Sequence, residues 1–226
     1  MLTQTDQKHW SPLPEVALFL SSKIKEGAKV LELGPGDVPF HRSTQFVDLA
    51  PAENTIVCDI QVETLPFPDK SFDFVYCRHT VEDLPLPNLA LNEMSRVGKA
   101  GFIETPSPVA EICRGIDGGS PPWRGYAHHN WTVWSHDGAL HLLRKYPAIE
   151  YAQFTDEAFF AHVLRNSPIF WNTYHLWEGE IRWTMHHPGD FSTGYSNKLA
   201  IAANEGIENA KAFLADIVSN RVEDTV

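Results

Sequence analysis

Lys29-Val-Leu-Glu-Leu-Gly-Pro-Gly-Asp37 is the stretch that decides how this chain folds. Val30 to Leu33 is a short apolar run carrying one acid, Glu32, and it breaks sharply at Gly34-Pro35-Gly36. A buried parallel strand ends in this way when its backbone must turn tightly beside a ligand. Glycine accepts backbone angles closed to other residues and puts no side chain between the main chain and what lies against it. In open α/β sheets, ligands sit beyond the carboxyl ends of the strands. Function is therefore expected to gather around positions 32 to 37.

Working outward, residues 14 to 25 predict a first helix. Pro14 stands in its first turn, Val16, Phe19, Leu20 and Ile24 form a helical stripe, and Gly27 ends it. Strand 1 covers about 29 to 33. Gln45-Phe-Val-Asp48 is a short second strand ending in an acid, and only eight residues separate it from Gly36. A full crossover helix does not fit there, so the first connection is expected to be a loop or one turn. Thr55-Ile-Val-Cys58, closed by Asp59, is strand 3, and Phe72-Asp-Phe-Val-Tyr-Cys77 is strand 4. Leu86, Ala90, Met94 and Val97 place a helix over about 84 to 97. Phe102-Ile-Glu104 begins strand 5. The recurrence of strand, connector and strand predicts an α/β protein, with a Rossmann-like, mostly parallel sheet flanked by helices.

The second half is different. From Thr105 to Ser135 the pattern dissolves into prolines, glycines and aromatics, with Gly115 to Pro122 the nearest thing to a linker. Residues 131–135 and 139–144 read as a hairpin around Asp137-Gly138. A helix over about 156–166 follows, then a second hairpin from 171–177 and 180–185. A C-terminal amphipathic helix is striped by Leu199, Ala203, Ile207, Ala210, Leu214 and Ile217. One domain over 1–226 is expected, with a ligand-binding core at 28–106 and a variable elaboration at 107–195.

Composition bounds the function. Hydrophobic content of 43% and charged content of 21% are ordinary for a globular chain of 226 residues. A net charge of −11 argues against a nucleic-acid binder, and no apolar run is long enough to span a bilayer. The first ten residues lack the pattern of a secretory signal. Cys58, Cys77 and Cys113 match no metal spacing and read as thiols of a reducing compartment. A cytoplasmic location is expected. His128, His129 and His136 are the nearest approach to a metal set. Adjacent histidines seldom converge on one ion and no carboxylate or cysteine spacing supports them, so no metal is expected.

Three acids fall at strand ends: Glu32, Asp48 and Asp59. An acid after strand 2 can accept both hydrogen bonds of a ribose diol, as in dinucleotide folds. A dinucleotide itself fits badly. Pro39 stands where the third glycine of Gly-x-Gly-x-x-Gly would be, and no helix N-terminus is available for a pyrophosphate. Val30-Leu-Glu-Leu-Gly-Pro-Gly36, Asp48, Asp59, Leu65-Pro-Phe-Pro-Asp-Lys-Ser-Phe-Asp-Phe-Val75 and Glu93-Met-Ser-Arg-Val97 together resemble class I S-adenosylmethionine-dependent methyltransferases, of the broad small-molecule type. Two departures accompany the resemblance: the absent third glycine, and Gly98-Lys-Ala-Gly101 in place of Lys-Pro-Gly-Gly.

The resemblance implies S-adenosylmethionine as cofactor, with Glu32, Gly34, Pro35 and Gly36 at its methionine end. Asp48 and Leu49 would lie at its ribose, Asp59 and Ile60 at its adenine, and Cys77 and Arg78 nearby. His79 follows strand 4 and, with His128 and His129, is a candidate catalytic base. Trp123, Arg124, Tyr126 and Trp131 lie in a loop that can fold over the carboxyl edge and wall a small-molecule substrate. The expected activity is in-line methyl transfer to an oxygen, nitrogen or carbon nucleophile, with the protein aligning reactants and excluding water. The alternative is a catalytically silent cofactor-binding partner protein.

Overall fold

The computed structural model describes residues 12–117, 123–154, 156–187, 189 and 193–223. The N-terminal segment and the Gly118–Pro122 part of the expected linker lie outside the described residues. Strands β1 (Val30–Leu33), β2 (Gln45–Asp48), β3 (Thr55–Val57), β4 (Phe74–Arg78) and β5 (Ala100–Pro106) are all parallel to one another. A later strand, β8 (Asn172–Glu178), closes the sheet antiparallel to β5, giving the order β3-β2-β1-β4-β5-β8. From β1 the chain moves outward to β2 and β3, then returns to build β4 on β1's other side. The order therefore reverses between β1 and β4, which is where such sheets open a ligand crevice.

The pleat sorts side chains between two faces. Val30, Phe74, Tyr76, Phe102 and Tyr174 pack on helix α1 (Pro14–Lys23) and on the later half of the C-terminal helix α5 (Thr193–Glu223). The Tyr174 and Phe213 rings stack with centroids 4.5 Å apart. On the other face Leu31, Leu33, Val75, Cys77 and Ile103 meet helix α2 (Pro87–Val97) and a small sheet. That sheet, in the order β6-β7-β9, comprises β6 (Trp131–His136), β7 (Ala139–Arg144) and β9 (Trp183–His186). A third apolar cluster joins α3 (Pro108–Ile112), α4 (Glu157–Asn166) and the first half of α5.

As the spacing predicts, no helix separates β1 from β2. Pro39 is exposed in that connection, so no helix needs a glycine there for close packing. The β6–β7 hairpin also forms, with Asp137 and Gly138 both at positive φ, as a type I′ turn requires. Helix α2 starts at Pro87, about three residues later than its stripe suggests. Pro85 and Pro87 bias the residues before them away from helix, and Pro87 then serves as the first helical residue. The five-residue α3 was not legible in its proline-rich surroundings. Its start is capped by Ser107, whose Oγ accepts from the Ala110 N–H.

The expected second hairpin does not form. Gly179 (φ +76°) turns the chain, but β8 pairs with β5 from Ala100↔Glu178 to Pro106↔Asn172, and β9 joins β7 in parallel. The reason lies in β5. A Cβ at Gly101 would overlap the Val75 carbonyl and the Trp177 indole, and one at Gly98 would meet the Val75 side chain and the same indole. These two glycines make a slot for Trp177, and β8 docks through it. The departure from Lys-Pro-Gly-Gly thus retains a glycine where close packing demands one.

The most family-specific stretch, Leu65 to Phe74, turns out to be a clasp. Arg96 donates to the Leu65 and Phe67 carbonyls and to Asp69 and Glu93, while Glu93 accepts from the Leu65 N–H at 2.7 Å. Lys70 Nζ donates to three carbonyls, those of Ser95, Gly98 and Gly179. The loop before β4 is thereby fastened to the end of α2.

Candidate active site at the carboxyl edge of the sheet

The turn after β1 holds Gly34 at φ +66° and Gly36 at φ +50°. Gly34 has no room for a side chain, since a Cβ would overlap Thr80 Oγ1, whereas one on Gly36 would meet nothing within 4 Å. Gly34 is thus needed for close approach of two loops, and Gly36 leaves open space beside the main chain. A cleft of about 90 Å³ opens next to them, lined by Gly34, Val47, Asp48, Leu49, Cys58, Asp59, Ile60, Thr80 and Leu84 among others. Five residues expected at the cofactor (Gly34, Asp48, Leu49, Asp59 and Ile60) therefore come together. Apolar walls with two carboxylates at the rim suit a nucleoside carrying a diol. Thr80 and Leu84 were missed; they follow β4 in a loop whose sequence carries no ligand motif.

Asp48 and Asp59 also order their own loops. Asp48 Oδ1 accepts from the Ala50 N–H at 2.9 Å, and Asp59 Oδ1 from the Gln61 N–H at 3.1 Å. Each is a local side-chain turn, and each leaves its second carboxylate oxygen out of these bonds. Glu32 is placed otherwise. It is buried, outside the cleft lining, and both its oxygens accept from the Phe40 N–H at 3.0–3.1 Å. It ties down the far end of the glycine turn. Cys77 is likewise buried in the core and absent from the cleft lining.

Burial raises the Glu32 carboxyl to about 7, against the opposing pull of Ser43 and the Phe40 N–H. The folded chain then keeps a proton that the unfolded chain releases above about 4.5. The stabilisation is complete below that pH and is lost as pH rises through about 7. Replacing Glu32 with Gln removes this dependence. Between pH 5 and pH 8 the wild type should lose on the order of 2 kcal/mol relative to Glu32→Gln. Urea unfolding of both proteins at the two pH values measures the difference, and an equal difference at both would contradict it.

Beyond β4 a second, polar group of residues occupies the same edge. His79 sits at φ +49°, a conformation that costs about 1–3 kcal/mol in a non-glycine residue and is characteristic of functional sites. Its N–H donates to the Glu104 carbonyl at 2.8 Å, and its Nδ1 lies 3.3 Å from Glu82 Oε1. Arg78 Nε lies 3.4 Å from Glu104 Oε1, which also accepts from Asn172 Nδ2 at 2.6 Å. Burial drives His79 down to about 3 and Glu82 up to about 7. His79 is therefore a neutral imidazole and a weak base.

The loop before β6 completes the group. Gly125 (φ +54°) lets this loop lie directly on Glu111 of α3. His129 Nδ1 is 2.6 Å from Glu111 Oε1, and Lys145 Nζ donates to Glu111 Oε2. Although burial alone would raise Glu111, Lys145 and His129 hold it at about 2. Burial alone would lower His129, but Glu111 raises it above the usual histidine range. His129 Nε2 faces Asp83 Oδ1 at 3.7 Å, and the exposed His128 faces the same oxygen at 3.8 Å.

The expected substrate wall is mostly structural. Arg124 is buried, donating to the Ile112 and Ala152 carbonyls and pairing with Glu157 at 3.0 Å. Its two terminal guanidinium nitrogens are thus engaged by the protein itself. Trp131 is a core residue whose indole N–H donates to the Leu84 carbonyl. Tyr126 is buried against the His129 ring, 4.4 Å between centroids, and Trp123 is exposed. The larger cleft, about 740 Å³ beside Lys23, Asp73 and Lys99, adjoins the amino ends of β4 and β5. It contains none of the glycine turn, so the carboxyl edge remains the candidate site.

Residues 37–102, from just after the Gly34–Gly36 turn into β5, match the sequence model of a methyltransferase domain family. The match covers β2 to β4 and the start of β5, and S-adenosylmethionine is the cofactor that the resemblance to class I methyltransferases implies. No curated protein matches the chain. Similar solved structures include the PH0226 protein from Pyrococcus horikoshii, at 22% identity over 47% of this chain and 62% of that one, with a TM-score of 0.39. A SAM-dependent methyltransferase from Aquifex aeolicus is 20% identical over 48% of this chain and 75% of its own, with a TM-score of 0.31. The YcgJ protein from Bacillus subtilis is 18% identical over 41% of this chain and 50% of its own, with a TM-score of 0.31. This chain thus spans about half the length of that structure. Among the described residues no helix is long and apolar enough to cross a membrane.

Proposed function

We propose that the chain is an S-adenosylmethionine-dependent methyltransferase acting on a small molecule through an oxygen, nitrogen or carbon nucleophile. One observation carries the reading: the loop after β4 has two working sides. Thr80 and Leu84 line the cleft beside the glycine turn, while His79, Glu82 and Asp83 belong to the polar group. Cofactor and acceptor sites would then share one short segment.

When bound, the cofactor supplies a methyl group on an already activated sulfonium. The chain's own residues bind, align and exclude water. Asp48 would take a ribose diol, and Gly36 would leave the main chain open at the amino-acid end. His79, neutral and weakly basic, orients rather than deprotonates. His128 and His129 supply the imidazoles of the acceptor side, with Glu111 fixing the ring of His129. Burial of Glu82 and Glu111 beneath them excludes bulk water.

Incubation of the full chain with methyl-labelled cofactor and a fractionated metabolite extract tests the reading. Label appearing in a small-molecule fraction is the expected result. Cofactor binding without transfer to any fraction would contradict it and favour a catalytically silent partner protein.

A further inference from the structure

From sequence, His128, His129 and His136 are not expected to bind an ion, because adjacent histidines seldom converge on one and no carboxylate spacing supports them. The fold supplies the carboxylate. One nitrogen from each histidine and an Asp83 oxygen lie within 4.8 Å of one another. We propose that these three side chains form a binding site for a divalent transition-metal ion of the zinc type.

Several independent features support this. His129 Nδ1 is engaged by Glu111 at 2.6 Å, which aims Nε2 at Asp83 and fixes the ring. Metal-bound histidines usually have a carboxylate on their other nitrogen in this way. Asp83 Oδ1 is buried yet accepts no hydrogen bond, and neither oxygen of the adjacent, fully buried Glu82 accepts one. Buried carboxylate oxygens without donors are costly, and a cation beside Asp83 would offset that cost. Lys145 pairs with Glu111, whereas the charged groups around Glu82 and Asp83 are the other carboxylates, His128 and His129. Two imidazoles and one carboxylate suit zinc or cobalt better than magnesium or calcium, which favour oxygen.

The geometry needs little change. A tetrahedral zinc ion sets its ligand atoms about 3.3–3.5 Å apart. Asp83 Oδ1 is already 3.7 Å and 3.8 Å from the two histidine nitrogens. His128 has 56% of its side chain exposed, so its ring is free to swing inward and the ion has a path of entry. Three protein ligands leave one position for water or an oxygen of a bound molecule. Use of that position on a methyl acceptor rests on the function proposed above. In the ion-bound form His128 and His129 are ligands and not bases.

Chelator-treated full-length protein, without S-adenosylmethionine, should be titrated with zinc by calorimetry and with cobalt by visible absorption. The expected result is one ion per chain and a cobalt d–d band of low coordination number. Asp83→Asn and His128→Ala, both at half-exposed positions, should each weaken zinc binding at least about 100-fold while far-UV circular dichroism is unchanged. His136→Ala and His141→Ala, outside the cluster, should bind as the wild type does. Failure of the wild type to bind zinc would overturn the site. So would full affinity in folded Asp83→Asn or His128→Ala, and should both misfold, a cobalt spectrum lacking nitrogen-ligand intensity in the wild type decides against it. None of these readouts depends on methyl transfer, so failure of the site and failure of the enzymatic reading remain separable.

Discussion

Gly34→Ala is expected to destabilise the fold by about 2–4 kcal/mol and to abolish measurable cofactor binding. Two costs add. At φ +66° any side chain pays about 1–2 kcal/mol for the left-handed conformation. The new Cβ would also overlap Thr80 Oγ1 and crowd the Thr80 methyl at 3.2 Å. Thr80 cannot simply rotate away, because its own Cβ would lie 3.3 Å from the new atom. The turn must move, and the cleft lined by both residues moves with it. The double variant Gly34→Ala/Thr80→Ala should recover the steric part and leave about the conformational part. Gly36→Ala is the contrast, since open space surrounds it. It should cost about 1 kcal/mol of stability and act mainly on the ligand. Chemical denaturation with parallel cofactor titration measures all three, and a Gly34→Ala protein as stable as Gly36→Ala would contradict the packing argument.

The second large effect is on affinity alone. Asp48→Ala should weaken S-adenosylmethionine binding by about 10–100-fold, the worth of one or two charge-assisted hydrogen bonds. Asp48 also accepts from the Ala50 N–H, so the alanine variant loosens its loop as well. Asp48→Asn separates the two roles. The amide oxygen can keep the bond to Ala50 while the charge is gone, so affinity should fall with stability nearly unchanged. Unchanged affinity in both variants would mean that a ribose is held elsewhere.

How much of this was readable in the sequence depends on the range of the interactions involved. The glycine turn, the strand-end acids and the five parallel strands are local patterns, and they stand where the spacing puts them. Asp137-Gly138 likewise names its own turn. Pairing of β8 was not local. It depends on a slot made by Gly98, Gly101 and Val75 for Trp177, residues far apart along the chain. Two family-specific blocks, Leu65–Val75 and Glu93–Val97, prove to be partners through Arg96 and Lys70, which explains their occurrence together without any contact to the cleft. Arg124 and Trp131 looked available only because their carbonyl partners, supplied by α3 and by the loop after β4, leave no trace in sequence. Asp83 and Glu111 escaped notice for the same reason: a carboxylate joins a histidine cluster through folding, not spacing.

The central claim is that the cleft at the end of β1 binds a sulfonium nucleoside and no pyrophosphate. Calorimetric titration of the full chain with S-adenosylmethionine, S-adenosylhomocysteine and a nicotinamide dinucleotide tests it directly. One site for each sulfur compound and no heat from the dinucleotide is the expected result. Silence from both sulfur compounds, or preference for the dinucleotide, would contradict it.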